Sequence, residues 1–350
     1  MDKRAPAPLV PTLVADALRA ARDLGLGVGA AVRARKDTGD EIGIEIRHGG
    51  RRVVYAVEAK RALTPATLGA ALHELAQLKP PALLVTDYVT PPMAERLREA
   101  GVEFLDGAGN AYLNQPPLLV WVKGQRPAEK PVAPEVGRAF QPGGLQVLFA
   151  LLGDPAALNL PYRELARRAQ VAHGTVGWVM ADLQRLGFVR DTPGKRGTRR
   201  LFDGRRLLTQ WAEAYARLLR PRMLVGRYHV ETLDGWEKWP LAEHGALWGG
   251  EPAAAIATGY LRPGELTLYA KKLPGKLAAQ LRFAKEAEPG RKAVVEVRRQ
   301  FWDFPGDARL PGLVPTLLIY ADLLATGDGR CIETARMIYD EYHAGFFGEA

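Results

Sequence analysis

Glu58 and Lys60 form an acid–base pair of the kind that a hydrolytic site uses. They close the strand-like run Arg52–Lys60 (RVVYAVEAK). Side chains two apart on a strand share a face, so the carboxylate and the ammonium stand side by side. Two carboxylates can hold Mg²⁺, and a lysine beside them can position or activate an attacking water. The second acid falls to Asp40 or Glu41, where the preceding strand opens. The expected catalytic set is therefore Glu58, Lys60, Glu41 and Asp40, with Glu41 and Glu58 as metal ligands. Against this stands the frequency of Glu-x-Lys by chance, and the alternative is a domain of that shape used for contact alone.

A second set of residues could bind a polyanion. Residues 144–206 carry eleven Lys and Arg against five Asp and Glu, a net +6 out of +9 for the chain. The net charge is +2 over residues 1–124, +1 over 125–143 and zero over 207–350. A local basic excess is the electrostatic footprint of nucleic-acid binding. Within it, residues 145–152, 163–170 and 173–188 read as three helices. A hairpin follows, 188–190 paired with 200–202 across DTPGKRGTR. Leu165, Ala166, Val171, Val176, Val179, Leu183 and Leu186 fall where a three-helix core needs them. Such a third helix fits a DNA major groove, with His173, Thr175 and Trp178 near the base edges. Arg167 and Arg168 on the second helix, and Lys195, Arg196, Arg199 and Arg200 on the hairpin, would meet phosphates. Donors are few on the third helix, so the hairpin is expected to supply much of the affinity.

The positioning elements can be read along the chain. Residues 9–24 form an amphipathic helix. Residues 41–47 and 52–57 alternate as strands around Gly49-Gly50, a hairpin. Thr64-Pro65 opens a helix to about Leu78. Strand 82–86, helix 91–100 and strands 102–105, 111–113 and 118–122 follow. Strands alternating with helices imply an α/β domain over 1–124. The turn Asp106-Gly-Ala-Gly-Asn110 reads as structural, with Asp106 and Asn110 capping it. Residues 125–143 are proline-rich and read as a linker. Beyond the basic segment, 207–219 is helical. The rest mixes strands (256–257, 266–270, 294–297) with helices at 314–325 and 332–343. This last region, 207–350, is charge-balanced, rich in Trp and Tyr and without Ser-His-Asp, Cys-His or metal-ligand spacing. It reads as a mixed α+β interaction domain, with most of its aromatics in the core. Glu251 after Gly249-Gly250 reads as a cap.

Composition narrows the classes. The 350 residues suit two or three domains. No run of 18 apolar residues exists, so no helix is expected to span a membrane. The one cysteine, Cys331, excludes an intrachain disulfide and a Cys-based zinc site. No signal peptide is read, and a cytoplasmic location is expected.

Three resemblances follow from these residues. Strand, strand, helix and strand around Glu58-x-Lys60 resemble the PD-(D/E)xK nuclease core, a restriction-endonuclease-like α/β fold. Residues 144–206 resemble the winged helix-turn-helix of bacterial regulators. The order of pieces, with DGAGNAYL (106–113), WGGEPAAAIATGYLRPGELTLYA (248–270) and VPTLLIYADLLATGDGRCIETARMIYDEY (314–342), resembles the AbiEi family of type IV antitoxins in a long form. That resemblance implies a double-stranded DNA-binding regulator that represses its own operon, and a nucleotidyltransferase-like toxin as partner. A homodimer stays open, since such regulators bind palindromes as dimers but no heptad marks a dimer helix. DNA binding requires no cofactor, and Mg²⁺ enters only if the nuclease-like site is active. The expectation is a regulator rather than an enzyme. The alternatives are a Mg²⁺-dependent nuclease targeted by its winged helix and a non-catalytic architectural DNA-binding protein.

Overall fold

The computed structural model describes residues 9–35, 39–48, 50–60, 63–127, 137–192, 198–285 and 293–347. The chain is a mixed α/β protein that divides into two compact units, residues 1–135 and 136–350.

The first unit runs α1 (Leu9–Asp23), β1 (Gly27–Arg35), β2 (Gly39–His48), β3 (Arg51–Lys60), α2 (Pro65–Leu75), β4 (Ala82–Thr86), α3 (Pro91–Glu99), β5 (Phe104–Asp106), β6 (Ala111–Gln115) and β7 (Leu118–Val122). All seven strands form one sheet in chain order. β1, β2 and β3 are antiparallel, β3, β4 and β5 are parallel, and β5, β6 and β7 are antiparallel. The parallel steps need crossovers, which α2 and α3 supply. Leu83 and Val85 point to one face of β4 and Leu84 to the other, as strand alternation dictates. The first face packs on Leu13, Val14, Ala17 and Leu18 of α1, and the second on Leu68 and Ala71 of α2 and Met93 and Leu97 of α3. Thr64 caps α2 in a reciprocal bond with Thr67, and Pro65 fills its first turn. β1 escapes sequence reading because GVGAAVRAR has neither alternation nor β-branched density.

The second unit begins with a tight 3-10 turn, Arg138–Phe140, and α4 (Pro142–Gly153). After a further 3-10 turn, Pro155–Asn159, come α5 (Tyr162–Arg168), α6 (His173–Arg185), β8 (Val189–Asp191) and β9 (Arg199–Leu201). α7 (Gly204–Ala214) continues through a π-helical turn, Tyr215–Leu219, into α8 (Arg220–Met223). Next come β10 (Leu224–Val230), β11 (Ala246–Gly249), α9 (Gly250–Thr258), β12 (Glu265–Ala270), α10 (Gly275–Gln280), β13 (Ala293–Arg299), α11 (Thr316–Thr326), α12 (Gly329–Tyr342) and α13 (Ala344–Phe347). β10, β13, β12 and β11 form a sheet in that order, parallel only between β13 and β12. The strand expected at 256–257 is instead part of α9. An alanine run favours helix, Pro252 sits in the first turn and Gly259, at φ +65°, ends it.

Two features of this sheet explain the WGGEP run. A Cβ on Gly249 would come within 2.5 Å of the Tyr269 ring, and Gly250 takes φ +50° against Thr267. Both positions therefore require glycine. Glu251 accepts the Gly264 N–H at 2.6 Å and so ties down the loop after α9. Burial raises its carboxyl above the usual range.

A seam of rings joins α4 to the sheet. Phe149 stacks on Trp211, which stacks on Tyr215, while Phe301, Trp302 and Phe304 surround Phe149. At the end of the seam Asp322, buried on α11, accepts hydrogen bonds from the hydroxyls of Tyr215 and Tyr269 at 2.8 Å and from Arg220 Nε at 3.0 Å. The π-helical turn carries Tyr215 into this network. Among the Trp and Tyr of residues 207–350, Trp211, Tyr215, Tyr228, Trp236, Trp248, Tyr269, Trp302, Tyr320 and Tyr339 are buried and Tyr260 is exposed.

Candidate nucleic-acid interface

Three helices and a hairpin carry the basic segment. α5 is held against α6 by Leu165 and Ala166, and α6 is held against the core by Val176, Val179, Met180 and Leu183, all buried. Val171 and Leu186, expected in the core, are half-buried. Gly187, at φ +81°, ends α6 and lets the buried Phe188 and Val189 start the hairpin. β8 and β9 pair antiparallel from Val189↔Leu201 to Asp191↔Arg199.

The opposite face of α6 is open. His173 and Trp178 are exposed, Trp178 by 60%, and Thr175 is half-buried. That exposure takes Trp178 out of the core, since a core tryptophan would be covered. A Cβ on Gly174 or Gly177 would meet nothing within 4 Å, so the helix between His173 and Trp178 presents nearly bare backbone.

The arginines divide into two kinds. Arg167 donates to Glu164 and to Asp303, and Arg168 donates to Glu164 and to Asp154 at 2.9 Å. The two guanidiniums hold the Glu164 carboxyl down to about 2. Asp303 also gives its N–H to the Arg168 carbonyl at 2.8 Å, fastening α5 to the chain after β13. The expected phosphate contacts Arg167 and Arg168 are thus already satisfied by carboxylates. Arg199 instead lies over the Tyr162 ring at 5.4 Å and Arg190 over Phe202 at 4.7 Å. Arg200 is exposed on β9. The backbone of Arg199 is fixed by Asn159, whose Oδ1 accepts its N–H at 2.8 Å. Lys195 and Arg196 lie outside the described residues.

Arg138 is a residue that sequence reading missed, because it falls in the proline-rich stretch read as linker. Its guanidinium lies over the Trp178 ring, 4.5 Å from the centroid. A signal was present: Gly137-Arg-Ala-Phe140 sets two apolar residues beside a glycine, and both Ala139 and Phe140 are buried.

In the first unit, Glu58 and Lys60 do come together, with Nζ 3.0 Å from Oε1 and both side chains mostly covered. Asp40 and Glu41 lie on β2 opposite Ala34 and Arg33 of β1. The described β2–β3 pairing ends at Gly43↔Ala56. Among the described residues no group of three or more His, Cys, Asp or Glu is placed to hold a metal ion. Asp106 is buried and accepts from the N–H groups of Val89, Ala108 and Asn110 and from Asn110 Nδ2, all between 2.7 and 2.9 Å. Burial raises its carboxyl against these bonds. With its acceptors used by the turn and by Val89 after β4, it locks the β5–β6 turn to that loop.

Among the described residues no helix is long and apolar enough to cross a membrane. Neither a curated protein nor a solved structure matches the chain. A family model described as "Transcriptional regulator, AbiEi antitoxin, Type IV TA system" matches residues 200–344, less than half of the sequence. Those residues run from the end of the hairpin to α13, and over that span the chain is similar to the AbiEi antitoxins of type IV toxin–antitoxin systems.

Proposed function

We propose that the protein is a double-stranded DNA-binding transcriptional regulator of the AbiEi antitoxin type. Residues 144–206 act as a winged helix-turn-helix, and the region after them faces a nucleotidyltransferase-like toxin. The observation that carries the reading is the α6 face. It pairs an exposed tryptophan and bare glycine backbone with arginines that rings, not carboxylates, hold in place. A helix so exposed can enter a major groove, and Arg199, Arg200, Lys195 and Arg196 on the hairpin would take phosphates. The family match to residues 200–344 supports repression of the protein's own operon and a toxin partner. Footprinting on the DNA upstream of its coding sequence tests this. A protected patch that weakens steeply with salt is expected, and no protection at low salt overturns the reading.

A Mg²⁺-dependent nuclease is the second reading, favoured by the Glu58–Lys60 pair at 3.0 Å and by the helix–three strands–helix–strand order of the first unit. If the β2–β3 register ran on two residues past Gly43↔Ala56, Glu41 would stand opposite Glu58. Mg²⁺ takes hard oxygen donors, which Glu58 and Glu41 or Asp40 would provide. The ion would supply Lewis-acid activation of the scissile phosphate, and Lys60 would hold the attacking water. Nicking of supercoiled DNA in Mg²⁺, lost in Lys60→Ala, is the result this reading needs. Intact DNA rejects it.

A further inference from the structure

The backbone of Arg138 is placed with more care than an exposed surface arginine needs. The Asp182 carboxylate on α6 accepts the N–H of Ala139 at 3.0 Å and that of Arg138. A Cβ on Gly137 would stand 2.8 Å from Asp182 Oδ2 and push that carboxylate aside. Gly144 at the start of α4 is constrained harder, with a Cβ 2.3 Å from the Ala139 backbone carbonyl oxygen and 2.4 Å from that of Arg138. Ala139 and Phe140 are buried and anchor the turn. Trp178 lies four residues before Asp182, one turn along the same helix face. One face of α6 therefore fixes the arginine twice, its backbone through Asp182 and its guanidinium through the indole.

Among the described residues the guanidinium has no carboxylate partner. Arg167, Arg168, Arg185 and Arg206 of the same unit each have one. A ring under a guanidinium accepts no hydrogen bond in its plane, so N–H groups remain to donate elsewhere. They form a planar fork that matches two phosphate oxygens, and fixing it beforehand reduces the entropy lost on binding.

We propose that Arg138, from outside the three helices, is a DNA-phosphate clamp that Trp178 and Asp182 hold ready beside the α6 face. The partner is the backbone of the duplex whose major groove takes α6, so the inference rests on the DNA-binding reading and adds a contact to it. Trp178 acts here as the platform for the clamp, and its free indole edge faces the same duplex.

The test uses the full-length protein and two labelled duplexes of about 30 base pairs, one from upstream of its coding sequence and one scrambled. Anisotropy is read between about 50 and 200 mM salt. Arg138→Ala is expected to weaken binding to both duplexes by about five- to tenfold. It should also lower the steepness of the salt dependence by about one. Arg138→Lys keeps the charge, so it should keep the slope and recover part of the affinity. Trp178→Phe keeps a ring under the guanidinium and should lose less than Trp178→Ala. Unchanged melting temperatures show that the variants fold. Parental affinity and slope in Arg138→Ala overturn the clamp while leaving DNA binding intact. A loss confined to the upstream duplex with an unchanged slope also overturns it, since Arg138 would then read a base. A parent protein that binds neither duplex at low salt overturns the DNA-binding reading itself, and the clamp with it.

Discussion

Two groups stand apart among the arginines of the second unit, while Arg206 and Arg309 have both a carboxylate and a ring. Arg220 and Arg298 in its interior, and Arg167 and Arg168 on α5, are held by carboxylates: Asp322, Glu296, Glu164, Asp154 and Asp303. Arg138, Arg190 and Arg199 are held by rings, Trp178, Phe202 and Tyr162. A carboxylate partner offsets the charge of a guanidinium and takes up some of its five donors, whereas a ring takes none. On the proposed DNA-binding reading, the second population is the one available to a polyanion. Sequence reading counted Arg167 and Arg168 with the second group because net charge does not show who is paired.

Substitutions at the two groups should act differently. The largest effect belongs to the buried pairing. Asp322→Ala leaves Arg220 and the hydroxyls of Tyr215 and Tyr269 without their shared acceptor. It should cost about 3–5 kcal/mol in urea unfolding, and a loss under about 1 kcal/mol would mean the network is dispensable. Next comes Trp178→Ala, which removes the platform and should weaken duplex binding about tenfold with no loss of stability, because the residue is exposed. A fall in stability instead would return Trp178 to the core. Arg199→Ala should cost roughly threefold in duplex affinity and about one in salt slope. Arg168→Ala should do the opposite, lowering stability by less than about 1 kcal/mol and leaving duplex affinity unchanged. A loss of affinity there as large as at Arg199 would erase the distinction between the two groups.

The smallest effect is a pH dependence. Arg167 and Arg168 lower the Glu164 carboxyl from 4.5 to about 2 in the folded chain. A depressed carboxylate stabilises the fold above its unfolded value and loses that contribution as pH falls through its folded value. The melting-temperature gap between the parent and Glu164→Gln should be present near neutral pH and close as pH falls from 4.5 towards about 2. A gap that does not change with pH would remove Glu164 from the pairing.

Much of the fold was legible from local signals. Thr64-Pro65 and Gly101 announced the ends of α2 and α3, and Leu165, Ala166, Val176, Val179 and Leu183 announced the α5–α6 core. The Asp106 turn was legible as structure because aspartate, glycine and asparagine at that spacing bond to their own backbone. What was hidden depends on partners far apart in sequence. Asp303 reaches Arg167 across the fold, and Asp182 reaches the turn at Arg138. No window of sequence shows either. α9 was misread at Ile256 because a two-residue apolar pair has no period.

The central claim is that the α6 face and the hairpin bind duplex DNA through charge that rings hold available. The most direct measurement is the salt dependence of binding to a duplex from upstream of the protein's own coding sequence. With about six phosphates met by Arg138, Arg190, Arg199, Arg200, Lys195 and Arg196, log affinity should fall against log salt with a slope of about −5. A slope near zero, or no binding at about 50 mM salt, would contradict it.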